Sequence, residues 1–230
     1  MLNKNKMIVK AAFIQMRIYI WILLAYIAAG LVANLIVFLA IGHANNSPAP
    51  VSIGNMLSII LIMMAVALPL GFFRKIVNIG ATRKEYYTAL VVIYTLSAVV
   101  LSVINIILLK LVDQLYKDDS FYFNILEIFH WDQFGILGMF LYQFAAYMLL
   151  ISIISMLFSG IRSYVGISLW VIVIAAIPIS TSIASYRHNL ADGLQTLLFN
   201  DSLFAGVAIC LIPSCIFLFA GWLFTKKRTL

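Results

Sequence analysis

Charge is what this sequence has least of. Only 10% of its 230 residues are charged and 64% are hydrophobic, whereas soluble domains carry about 25% charged and about 45–50% apolar residues. Such a chain cannot hide its apolar surface in one water-soluble core, so a bilayer must act as its solvent. Acids are scarcer than bases, with 8 Asp and Glu against 15 Lys and Arg. In a soluble protein the resulting charge of +7 would suggest nucleic acid. In a membrane chain it reflects topology and anionic lipid headgroups instead.

Other absences narrow the chemistry. There are 2 cysteines, Cys210 and Cys215. Both fall in one apolar run, where they read as packing residues and not as a disulfide. No His-Glu-x-x-His zinc sequence occurs, and no glycine-rich phosphate loop ending in Gly-Lys-Ser/Thr. His43, His130 and His188 are scattered outside the apolar runs. No serine has an obvious intramembrane base. Nothing here reads as an enzyme, a metal site or a cofactor site.

What is present is a series of six apolar runs, at 18–41, 55–72, 87–109, 134–158, 165–183 and 203–224. Each can cross a hydrocarbon core of roughly 30 Å at about 1.5 Å per residue. Within these bounds no run contains Asp, Glu, Lys, Arg or His. Ion pathways, proton relays and voltage sensors rely on such residues, so an ion-coupled transporter, a pump and a voltage-gated channel are disfavoured. The first run is too long for the core of a cleaved signal peptide, which spans about 7–15 residues, and reads as a retained span. The predicted fold is all-α: one transmembrane domain over 1–230 with six transmembrane helices.

Charge placement predicts the orientation. With the N-terminus in the cytoplasm, 12 of the 15 basic residues are inside, and only Lys110, Lys117 and Arg187 are outside. Seven acids lie outside and only Glu85 inside. The positive-inside rule selects this arrangement, and an even number of spans returns the C-terminus to the cytoplasm. The segment before the first span, Met7 to Arg17, reads equally as an interfacial amphipathic helix or as the basic start of that span. Residues 184–202 carry Leu190, Leu194, Leu197 and Leu198 at helical spacing, which predicts a short amphipathic or re-entrant helix. The aromatic stretch 121–131 suits the outer headgroup belt.

The most informative stretch joins the second and third runs. Phe73, Ile76 and Val77 can share one helix face. Gly80 can end that helix in a left-handed conformation. Thr82 followed by Glu85 is a capping-box signature directly before an apolar run. The expectation is a rigid helical elbow presenting Arg74, Lys75, Arg83 and Lys84 beside a single carboxylate. Such cations could serve topology alone, but a tight helical build is more than topology requires and favours a docking surface. Ala25, Ala29 and Ala33 form a small-residue stripe on the first run that would let a second helix approach.

Six spans, a basic lead-in and the Arg74-Lys75…Gly80-Ala81-Thr82-Arg83-Lys84-Glu85 elbow resemble the permease subunit of an ATP-binding-cassette (ABC) exporter of the second (ABC two) type. The resemblance covers the whole chain in topology and only the elbow in residues. It implies a coupling role for Phe73, Arg74, Lys75, Ile76, Val77, Gly80, Thr82, Arg83, Lys84 and Glu85, received in a cleft of a separate cytoplasmic ATPase present in two copies. ATP and Mg would then be bound by that partner and not by this chain. It further implies a second permease subunit, identical or paralogous, with the alanine stripe as a dimer contact, and a bacterial cytoplasmic membrane. Small bacterial relatives export, or protect against, amphipathic peptides such as phenol-soluble modulins and lantibiotics. The rival reading is a non-transporting membrane scaffold or immunity protein that binds a peptide or partner helix.

Overall fold

The structure, a computed structural model, describes residues 7, 9–14, 17, 20, 21, 24, 25, 28, 52–111 and 124–228. Those residues are almost wholly helical, and no strand occurs among them. Five helical stretches are long and apolar enough to cross a membrane: Gly54–Asn78, Arg83–Leu111, Trp131–Gly160, Tyr164–Ser182 and Leu203–Lys227. This makes the chain a multi-pass membrane protein. The predicted first span, 18–41, lies largely outside the described residues. The other five predicted runs each fall on one of these helices, with ends shifted by a few residues.

Helix α1 spans Ile53–Ala67 and is capped by Ser52, whose Oγ accepts from the Gly54 N–H at 3.2 Å. It does not stop at the predicted end of the second run. A π segment, Leu68–Phe72, carries it into α2, Phe73–Asn78. Pro69 supplies no amide hydrogen, and the π step absorbs that break while the rod continues. The elbow helix is therefore the end of a span and not a separate helix. Helix α3, Arg83–Leu111, returns antiparallel to it.

A short helix α4, Ile125–Ile128, and a 3-10 turn, Trp131–Phe134, lead into α5, Gly135–Gly160. The tight hairpin expected near 159–164 is present. Ser163 Oγ donates to the Gly160 carbonyl at 2.9 Å and accepts from the Gly166 N–H at 3.0 Å. The backbones approach so closely that a β-carbon on Gly166 would lie 1.9 Å from the Gly160 carbonyl oxygen. Helix α6, Tyr164–Ser182, follows, then α7, Ala184–Leu198, and α8, Leu203–Lys227.

Helices α1, α3 and α5 pack together, and α8 lies along α5. Gly206 makes the second of these approaches close, since a β-carbon there would meet the Tyr142 ring at 2.3 Å. The elbow end of the core gathers Leu61, Met64, Leu68, Phe72, Phe73, Ile76, Tyr86, Leu90 and Tyr94. Ala12 is fully buried against this cluster, so the described N-terminal residues dock there, while Met7, Lys10, Ile14 and Arg17 stay exposed. The opposite end is organised by Leu126, Trp131, Met139, Tyr142 and Cys210. By contrast α6 buries only Gly166. Its exposed Val165, Val171, Ile172, Ile174 and Ile177 are surface for lipid, not for water. Both cysteines are free, Cys210 buried and Cys215 exposed.

A polar layer crosses the bundle at the end away from the elbow. Asn124 Nδ2 donates to Ser52 Oγ at 3.0 Å and to Asn105 Oδ1 at 3.1 Å. Asn55 Oδ1 accepts from the Ile125 N–H at 3.0 Å. These bonds fasten α4 to the start of α1 and the far part of α3. Ser102 Oγ, Asn105 Nδ2 and Gln143 Oε1 are buried without a hydrogen-bond partner. Tyr94 donates to Ser155 at 3.0 Å nearer the elbow. Of these, the Tyr94–Ser155 and Asn124–Asn105 bonds join separate helices, as interhelical hydrogen bonds do in apolar surroundings, whereas Gln143 and Ser152 bond within their own helix.

Candidate functional site

The elbow is built by two local motifs placed back to back. At the end of α2 the Gly80 N–H donates to the Val77 carbonyl at 2.9 Å, and the Ala81 N–H to the Ile76 carbonyl at 3.3 Å. Gly80 holds φ at +93°. This crossed pair of bonds around a left-handed glycine is a Schellman stop. Immediately afterwards the Glu85 N–H donates to Thr82 Oγ1 at 3.2 Å, and the Thr82 N–H donates to the Glu85 carboxylate at 2.9 Å. The reciprocal exchange is a capping box. The backbone N–H groups of Gly80, Ala81, Thr82 and Glu85 and the carbonyls of Ile76 and Val77, which a bare turn would leave to water, are satisfied, so the elbow is fixed in shape. Gly80 and the Thr82–Glu85 pair stand as the sequence predicted.

One face of the elbow is anchored. Phe73 is fully buried, Ile76 nearly so, and Val77 partly. The Phe73 ring meets Tyr86 edge-on at 5.1 Å. Tyr86 Oη in turn donates to the Leu68 carbonyl in the π segment at 3.0 Å. Tyr87 reaches the last helix, donating to the Leu218 carbonyl and lying 5.4 Å from the Trp222 ring.

The other face is open. Arg74, Lys75, Thr82, Arg83 and Lys84 are exposed, and Glu85 is half-buried in its capping box. Ile79, at the tip, is 82% exposed. A large aliphatic side chain held out from a rigid turn is an apolar knob, and the same elbow exposes the cations on either side of it in sequence. The sequence reading missed Ile79, although an apolar residue directly before the stop glycine was the available signal.

It also missed Arg228. In sequence Arg228 is the last of three consecutive cations and looks like a topology determinant. In the fold it is 5% exposed. Its Nη1 donates to the Pro69 carbonyl at 2.5 Å, and its guanidinium carbon lies 4.6 Å from the Phe73 ring centre. Nε and Nη2 find no partner. Burial pushes its pKa down, with Arg162 and then Arg74 adding to the effect and Tyr86 opposing it. Nearby, Arg83 Nη1 donates to the Lys226 carbonyl at 2.5 Å. No local signal in the sequence marks this contact.

Of the predicted dimer stripe, Ala25 is helical and exposed, while Ala29 and Ala33 lie outside the described residues. No group of three or more side chains suited to a metal ion occurs among the described residues. The predicted helix after 183 is present as α7. Its last two carbonyls are held, Leu198 by Trp131 Nε1 and Leu197 by Tyr142 Oη, both at 2.8 Å.

Comparison with protein-family models, with curated proteins and with solved structures returned no match.

Proposed function

We propose that this chain is the permease subunit of an ABC exporter of the second type, with six spans and both ends in the cytoplasm. It would move a hydrophobic or amphipathic substrate, such as a peptide, across a bacterial cytoplasmic membrane. The energy is supplied by ATP hydrolysis on a separate subunit present in two copies, which also holds the magnesium. A second permease subunit completes the path.

One observation carries the reading: Ile79 stands 82% exposed on a doubly capped elbow that also exposes Arg74, Lys75, Arg83 and Lys84. An exposed apolar knob on a rigid support suits insertion into a protein cleft. The elbow's cations would pair with acids on the partner and guide the encounter. The distribution of 12 of 15 basic residues supports placing this elbow in the cytoplasm, where a nucleotide-driven partner would be.

The test is to purify the chain, under native expression and in mild detergent, with whatever co-purifies, and assay ATP hydrolysis. A stoichiometric ATPase is expected, and it should be lost in the triple variant Arg74→Glu, Arg83→Glu, Lys84→Glu. An ATPase that stays bound to the variant removes the elbow from the mechanism. A chain that purifies without any ATPase overturns the reading in favour of a non-transporting scaffold.

A further inference from the structure

A cation kept only to set topology stands in water, as Lys226 and Lys227 do. Arg228 does not. It is sunk beneath the elbow with two nitrogens unpartnered and with Arg162 and Arg74 as its charged neighbours. Burying a guanidinium with no carboxylate beside it among the described residues costs free energy. Specific contacts must offset that cost, and they reach both limbs of the elbow.

On the incoming limb Arg228 bonds the Pro69 carbonyl and covers the face of Phe73, the first residue of α2. On the outgoing limb Arg83 bonds back to the carbonyl of Lys226. Thr225 Oγ1 donates to the Gly221 carbonyl at 2.9 Å, which closes the last turn of α8 just before the chain extends. The π segment contributes directly, because the Pro69 carbonyl that Arg228 takes belongs to it.

We infer that residues 225–228 form a strap fastening the last helix to the elbow, with Arg228 as the positioning residue that sets where α2 stands. Displacing α2 must then either drag α8 along or tear Arg228 from Pro69 and Phe73. Release returns the guanidinium to water and relieves its repulsion by Arg162 and Arg74. Its mechanical meaning, carrying a push from the ATPase into α8, rests on the coupling reading above. The strap itself does not.

The test uses the full chain in lipid nanodiscs without any ATPase, read by amide hydrogen exchange. Arg228→Gln is expected to speed exchange across 69–79 by about tenfold, the loss of one charge-assisted hydrogen bond. Lys227→Gln, which removes the same charge from an exposed position, is expected to leave 69–79 unchanged. Arg228→Lys is expected to fail as a rescue, since an ammonium lacks the planar fork that lays one face on Phe73 while an edge N–H reaches the Pro69 carbonyl. Unchanged exchange over 69–79 in Arg228→Gln would overturn the strap, as would an equal effect from Lys227→Gln. Should Arg228→Gln fail to fold, Phe73→Leu must speed exchange at 225–227, and no change there overturns the proposal. A second arm adds the ATPase. Arg228→Gln is expected to keep its binding and lose the permease-dependent stimulation of hydrolysis. Failure to find any ATPase sinks the coupling reading alone, because the exchange result is independent of it.

Discussion

Asn105 occupies the space where a side chain on Gly54 would begin: a β-carbon there would lie 1.7 Å from Asn105 Oδ1 and 2.7 Å from Cγ. The same Asn105 Oδ1 accepts from Asn124 Nδ2. The first turn of α1 can therefore reach α3 only because residue 54 has no side chain. Gly54→Ala must push Asn105 away and break its bond to Asn124. We predict a loss of about 1–3 kcal/mol, as for other overpacked sites. Adding Asn105→Ala should recover part of that loss. Thermal melts of the two single variants and the double variant in detergent measure the coupling, and strict additivity would refute it.

The capping box separates geometry from charge. Glu85→Ala should destabilise the start of α3 by about 1 kcal/mol. Glu85→Gln keeps an acceptor at the same reach and should lose less than half of that. Exchange rates of the amides at 82–86 report the difference. Equal losses in both variants would mean that Glu85 acts through its charge and not as a cap.

Gly80 meets nothing within 4 Å, so its role is conformational alone. With φ at +93°, Gly80→Ala should cost about 1–2 kcal/mol, and Gly80→Asn clearly less, since asparagine enters the left-handed region more readily. Both variants add a side chain of no steric consequence, so ranking Gly, Asn, Ala by melting temperature isolates backbone strain.

Ile79 offers a surface prediction. At 82% exposure Ile79→Asp should change the stability of the isolated chain by no more than about 0.5 kcal/mol. The same variant should lower the affinity for a partner ATPase by about tenfold or more, since buried apolar anchors carry most of an interface's energy. A pull-down titration alongside a melting curve separates the two effects. A large loss of stability would show that Ile79 belongs to the fold.

Tyr142 and Trp131 together hold the end of α7, their rings stacked 4.6 Å apart. Tyr142→Phe keeps the stack and removes one bond to a helix-terminal carbonyl, at a net cost of about 0.5–1.5 kcal/mol. Faster exchange confined to 184–203 is expected, with the elbow unaffected. Changes spread over the whole chain would show that α7 is not a separately held element.

The degree to which each feature could be read in advance follows from the range of its physics. Gly80, Thr82 and Glu85 act within five residues of one another, through backbone conformation and local hydrogen bonds, and these follow from residue type and spacing. The apolar runs are legible for a similar reason, because burial in lipid depends on the length and composition of a segment. Continuity across Phe72 was not legible. The apolar run ends at Phe72 and the elbow reads as set apart from it, but the π step carries the helix through. The alanine stripe is legible as spacing alone, and of its members only the exposed Ala25 lies among the described residues.

Composition and spacing alone therefore determined that the chain is a helical multi-pass membrane protein and that a capped, basic elbow joins two of its helices. Only the tertiary structure decided which side chains that elbow keeps and which it presents. Ile79 is exposed because the Schellman turn places it at the tip. Arg228 is buried because α8 ends beside the π segment, well over a hundred residues away in sequence from the Pro69 carbonyl it bonds. A local motif carries its own reason for forming. A buried cation has one only after the helices around it have met.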